Sequence, residues 1–233
     1  MRFAAVRAAV AEAVALALPV SCAGCGAFDR AVCRACRAEL VPAPRLVVRD
    51  RAGTALTAWA GLAYRGAVRP VLGAYKDGGR TDAAPALVPA LAASIDAALR
   101  AAAHRTGSAG IELCTIPSTP SAIRARGYRP VDRLLARLDL RAARVLRPIA
   151  GHLDQAGLDA EARRRNASGW LRARGAGGRR FLVVDDVLTT GATLAAAVAA
   201  LESGGAEVVG CAVLAETPLH RDEHRRRSSA NSP

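Results

Sequence analysis

The stretch Phe181-Leu-Val-Val-Asp-Asp-Val-Leu-Thr-Thr-Gly-Ala-Thr193 limits what this chain can fold into more than any other. Its four leading apolar residues read as a strand buried on both faces, the kind found inside parallel sheets. Two carboxylates follow, then a Thr-Thr-Gly turn, then a helix with Leu194, Val198 and Leu201 on one stripe. Ligands collect beyond the carboxyl ends of such strands, where a helix N-terminus offers unpaired N–H groups and the positive end of its dipole to an anion. In that turn Gly191 lets the backbone approach closely, Ala192 opens the helix, and Thr189, Thr190 and Thr193 add hydroxyl donors. Asp185 and Asp186 are suited to accept hydrogen bonds from vicinal sugar hydroxyls. The string therefore asks for a sugar and its phosphate side by side.

The remainder alternates in the same way. Strands are expected at Leu56 to Tyr64, Ile111 to Ile116, Arg144 to Ile149 and Glu207 to Leu214, besides Phe181 to Val184. Helices are expected at Asp82 to Ala103, with Leu87, Leu91, Ile95 and Leu99 four apart, near Pro130 to Leu138, and at Ala192 to Ser203. This alternation predicts an α/β fold, a parallel sheet flanked by helices. With 233 residues and 52% hydrophobic content the chain can build one such domain and a small appendage. The division expected is an N-terminal helix and cysteine-rich knot over 1–44, the α/β domain over 45–217, and a charged, disordered tail over 218–233. A polar excursion from Ala150 to Gly169 interrupts the alternation.

The net charge of +13 favours phosphate-bearing partners, small ligand or nucleic acid alike. Of the 33 basic residues only Lys76 is a lysine. A compact ammonium on a flexible stem, where every other cation is a wide planar fork, marks it as a candidate ligand contact. The apolar start of the chain is interrupted by Glu12 and closed by Pro19, and Phe3, Val6, Val10, Val14 and Leu18 recur at helical spacing. That segment reads as a packed amphipathic helix rather than an export signal, no membrane span is expected, and a cytoplasmic location follows.

Cys22, Cys25, Cys33 and Cys36 form two Cys-x-x-Cys turns seven residues apart. Two such turns can aim four thiolates at one metal, although the interval is shorter than in common zinc ribbons, and redox cysteines or a metal-free knot use the same residues. Cys114 and Cys211 lie alone in apolar runs, where cysteine behaves as a small hydrophobe.

The complete strand, Asp-Asp and Thr-Thr-Gly-x-Thr string resembles the phosphoribosyl diphosphate motif of type I phosphoribosyltransferases. Three more segments extend the resemblance to the ComF family, phosphoribosyltransferase-like proteins associated with competence. Ile116-Pro-Ser-Thr-Pro-Ser-Ala-Ile-Arg-Ala-Arg-Gly-Tyr128 resembles that family's diphosphate-binding loop, which makes Ser118, Arg124 and Arg126 candidate contacts. Gln155 and Arg165-Asn166 resemble its mobile loop, and Ala74-Tyr-Lys76-x-Gly its lysine-bearing segment. The resemblance implies transfer of a phosphoribosyl group from its diphosphate with Mg²⁺ to an acceptor the sequence does not name. It also implies a structural Zn²⁺ on the four cysteines. The alternatives it leaves are a sensor of phosphoribosyl diphosphate, or a non-enzymatic partner of DNA or of the competence machinery.

Overall fold

The computed structural model describes residues 20–28, 30–51, 54–107, 110–149 and 169–218. The expected N-terminal helix, the charged tail and most of the polar excursion lie outside them. Within them the chain runs α1 (Arg34–Glu39), β1 (Arg45–Arg51), β2 (Thr54–Ala63), α2 (Val68–Lys76), α3 (Ala84–Thr106), β3 (Ile111–Thr115), α4 (Pro120–Arg126), α5 (Pro130–Ala136), β4 (Ala142–Ala143), β5 (Leu146–Pro148), β6 (Leu171–Ala173), β7 (Arg180–Leu188), α6 (Ala192–Ser203) and β8 (Glu207–Glu216). Six strands form one sheet in the order β1-β2-β8-β7-β3-β4. All neighbours are parallel except the β1–β2 hairpin at one edge. This is the expected mostly parallel sheet flanked by helices.

Side chains alternate through the middle of the central strands and so feed two cores. Leu182 and Val184 on β7, with Ala212 and Leu214 on β8, pack beneath α2, α3 and α5. Phe181, Val183, Cys211 and Val213 face the other way, toward α6. The stripe Leu87, Leu91 and Ile95 on α3 is buried on the first face, and each such side chain contributes roughly 1.5–3 kcal/mol relative to exposure. The segment Thr81–Arg105 is also long and apolar enough, by length and composition, to cross a membrane, which the sequence reading did not count. In this fold its apolar stripe covers β2 and β8. Cys114 and Cys211 are buried as small hydrophobes, and burial pushes both thiols up to about 12.

Three expectations change. The strand expected at Arg144 to Ile149 does not join the main sheet as one element. Only Ala142–Ala143 pairs there, while Leu146–Pro148 turns away to pair antiparallel with Leu171–Ala173. Its apolar residues were legible, but the partner lies across the polar excursion, which no local pattern reveals. The diphosphate segment, read as a loop, carries the short helix α4, with Thr119 as its N-cap accepting from the Ala122 N–H at 3.2 Å and Pro120 at its first position. And β7 continues to Leu188, so both acids lie inside the strand rather than after it.

Candidate functional site

The carboxyl ends of β3 and β7 open into a cleft of about 450 Å³. Asp185, Asp186 and Val187 line it from β7, Thr189 and Thr193 from the turn into α6, Ser118 and Thr119 from the turn after β3, and Lys76 from the end of α2. The sequence-predicted residues Lys76, Ser118, Arg126, Asp185, Asp186, Thr189 and Thr193 are thus brought to one space. Thr190 is exposed in the same turn, and Gly191 and Ala192 join it to α6. Arg124 is exposed on α4 and is not among the lining residues. Gln155, Arg165 and Asn166 lie outside the described residues, but the β5–β6 ribbon brackets their segment. The Ile149 N–H donates to the Trp170 carbonyl at 2.8 Å, and Trp170 lines the cleft.

Because consecutive strand residues face opposite sides of a sheet, the two acids have different neighbours. Asp186 shares the face of Leu182 and Val184 with α2, and Lys76 Nζ stands 2.6 Å from its Oδ2. Asp185 shares the face of Phe181 and Val183 with α6. The Asp186 N–H donates to Asp185 Oδ1 at 2.8 Å. Burial and then the charge of Asp186 push the Asp185 carboxyl up to about 7, against the opposing pull of that N–H and of Lys76. The cleft thus holds one acid that keeps its proton near neutrality beside another already paired with a lysine.

Lys76 is held in place from behind. The buried Tyr75 donates its hydroxyl to the Pro130 carbonyl at 2.8 Å, and the Tyr128 hydroxyl donates to the Tyr75 carbonyl. The two rings lie 5.7 Å apart, and Arg133 sits 5.4 Å over the Tyr128 ring. Arg126 pairs with Asp77 at 2.7 Å. The end of α2 is therefore tied to the α4–α5 connection. Sequence reasoning missed Arg129, Asp132 and Trp170, which also line the cleft, and Thr115, whose hydroxyl donates to Asp132 Oδ1 at 2.8 Å. Trp170 carried a signal as one of only two tryptophans; the other three carried none.

The four cysteines of the knot converge, their Sγ atoms all within 4.8 Å of one another. A tetrahedral Zn²⁺ with thiolates at ~2.3 Å would set sulfurs about 3.8 Å apart, and Cys25 and Cys33 already stand 3.6 Å apart. The Cys22 sulfur accepts from the N–H groups of Gly24 and Cys33 at 3.3 and 3.2 Å. Burial raises that thiol, but these backbone bonds outweigh it and bring it down to about 6. Gly24 is required by contact, since a Cβ there would fall 2.6 Å from Cys36 Sγ. The residues present fit a closed Cys₄ metal site. The knot is not a separate body: Cys22, Val32, Cys36 and Leu40 share a core with Val68, Val71 and Leu72 of α2. Arg80 ties it further by donating to the Ser21 carbonyl at 2.7 Å.

Comparison with known families bears on the kind of site. Residues 122–229 match the phosphoribosyl transferase domain. That stretch is a little under half of the chain and contains the acids, the threonine turn, most of α4 and all of α5. The chain is also similar to the adenine phosphoribosyltransferase of Frankia casuarinae, 64% identical over 39 residues, which are 17% of this chain and 21% of that protein. It is similar to adenine phosphoribosyltransferase 3 of Arabidopsis thaliana, 58% identical over 48 residues, 21% and 26% of the two chains. The matched stretch thus spans about a quarter of the length of these curated relatives. The solved adenine phosphoribosyltransferase of Rhodothermus marinus DSM 4252 aligns over 83% of this chain and 92% of its own at 20% identity, with a TM-score of 0.29, too low to decide anything.

Proposed function

We propose that the protein binds phosphoribosyl diphosphate in the cleft of Asp185, Asp186 and the Thr189–Thr193 turn, and transfers its phosphoribosyl group to a nitrogenous acceptor. The observation that carries this reading is the single cleft in which the strand acids and helix-start turn of the matched phosphoribosyl transferase domain meet Lys76. The turn and the start of α6 hold the 5′-phosphate with backbone N–H groups and the hydroxyls of Thr189, Thr190 and Thr193. Asp185 and Asp186 accept from the ribose hydroxyls. Lys76, Ser118 and Arg126 face the diphosphate, and Lys76 leaves Asp186 to do so. In the reaction the bond from the anomeric carbon to diphosphate breaks with its electron pair on the departing oxygen. The acceptor nitrogen then bonds that carbon and releases its proton to solvent. Catalysis is positioning and charge stabilisation. Mg²⁺ would be carried in on diphosphate and ribose oxygens, adding positive charge to the leaving group.

The gathered Cys₄ knot on a phosphoribosyltransferase-like domain supports placing the chain in the ComF family with a structural Zn²⁺. A gathered set of four thiolates suits a reducing, cytoplasmic setting. Gln155, Arg165 and Asn166 are assigned to closure over the substrate on the family resemblance alone.

The test is calorimetric titration of phosphoribosyl diphosphate with Mg²⁺, and of DNA at physiological salt, into the parent and the Asp185→Asn/Asp186→Asn double variant. Two charge-assisted bonds lost in a half-closed site cost about 2–4 kcal/mol, so sugar-phosphate binding should fall roughly a hundredfold or more. Tight DNA binding with no response to phosphoribosyl diphosphate in the parent would overturn the reading in favour of a nucleic-acid partner.

A further inference from the structure

Arg49 belongs to the edge strand β1, does not line the cleft, and is 6% exposed. A guanidinium buried that deeply must have its donors placed. Its Nε donates to the Thr189 carbonyl at 3.0 Å, one Nη to the Thr217 carbonyl at 2.7 Å and to Glu216 Oε2 at 2.7 Å, and the other to the Val48 carbonyl at 3.2 Å. Glu216, equally buried, also pairs with Arg45. The circuit closes where the Thr217 N–H donates to the Leu188 carbonyl at 2.9 Å. Leu188 and Thr189 are the residues through which β7 becomes the turn, so two successive carbonyls at its start are held, one by the end of β8 and one by Arg49.

In a trans peptide the C=O and N–H point to opposite sides. Fixing the Thr189 carbonyl toward Arg49 therefore turns the Thr190 N–H away from it. The arginine stem also lies under the turn: a Cβ added at Gly191 would stand 3.4 Å from Arg49 Cβ. We propose that Arg49, held by Glu216, is the positioning residue of the anion-binding turn. It sets the peptide planes from behind before a phosphate arrives, and places a positive charge at the back of an anion site. Preorganised donors of this kind cost no rearrangement on binding. The inference rests on the turn being the phosphate-binding element, and it adds that an edge strand outside the matched domain controls it.

Hydrogen exchange read by mass spectrometry on the full chain tests the positioning without any ligand. In Arg49→Met, amides of the turn and first residues of α6 should exchange roughly tenfold faster, for a lost charge-assisted bond, while those of α3 keep the parent rate. Arg49→Lys, which keeps the charge and stem but not the fork, should lie between the two and serves if the methionine variant does not fold. Unchanged exchange in the turn of either variant, or equal acceleration across α3, would overturn the proposal. Affinity for phosphoribosyl diphosphate with Mg²⁺ should fall roughly tenfold or more in Arg49→Met. A parent that does not bind that ligand counts against the proposed function, and the exchange result still judges Arg49.

Discussion

Replacing Asp185 by Asn should remove a pH dependence of stability that the parent shows between pH 5 and pH 8. The folded-state carboxyl sits at about 7 against 3.8 for a free aspartate, because burial and the neighbouring Asp186 disfavour its charge. Between those two values the folded chain keeps a proton that the unfolded chain has shed. The contribution is therefore complete below the unfolded value and is lost as pH rises through the folded one. Integrating the difference from pH 5 to pH 8 gives a loss of about 2–3 kcal/mol. With a urea slope of about 2 kcal/mol per molar, the parent midpoint should drop by about 1 M over that interval relative to Asp185→Asn. All other titratable groups are common to both proteins, so the difference between the two curves isolates Asp185. Asp186→Asn removes the repelling charge and should move the transition to lower pH, whereas Lys76→Met removes an attracting one and should move it higher. Parallel curves for parent and Asp185→Asn, or shifts of the same sign in the other two variants, would refute the reasoning.

Gly191 starts α6 at φ 81°, and a Cβ there would meet Leu56 Cδ2 at 2.9 Å. Gly191→Ala should therefore cost about 2–3 kcal/mol from the left-handed backbone and the crowding, lowering the thermal midpoint by roughly 5–10 °C; an unchanged midpoint would contradict the geometry. Elemental analysis of freshly purified, reduced protein should find about one Zn²⁺ per chain. Cys33→Ser should lose that metal and loosen the knot while the β7–α6 unit stays folded, and zinc-free parent protein would sink the Cys₄ assignment.

Local chemistry fixed the centre of this molecule in advance. An apolar run, two acids, a Thr-Thr-Gly turn and a helical stripe act over neighbouring residues, so Phe181 to Thr193 declared strand, turn and helix without knowledge of the rest. The same holds for α3, whose four-residue spacing names its buried face, and for the two Cys-x-x-Cys turns, which point their own sulfurs inward. What faces what was decided only by packing. The β1–β2 hairpin lies against β8 because a parallel sheet must finish somewhere, and that placement, not any motif, brings Arg49 under Thr189. Leu146–Pro148 pairs with Leu171–Ala173 across more than twenty residues of intervening chain, a distance no periodicity spans. Lys76 stood out as a lone lysine, but its partner emerged only when β7 ran on through both acids and strand alternation turned Asp186 toward α2 and Asp185 toward α6. Sequence determines which groups are available within a turn or a repeat; the burial that pairs Lys76 with Asp186 and keeps a proton on Asp185 exists only once distant segments exclude water together.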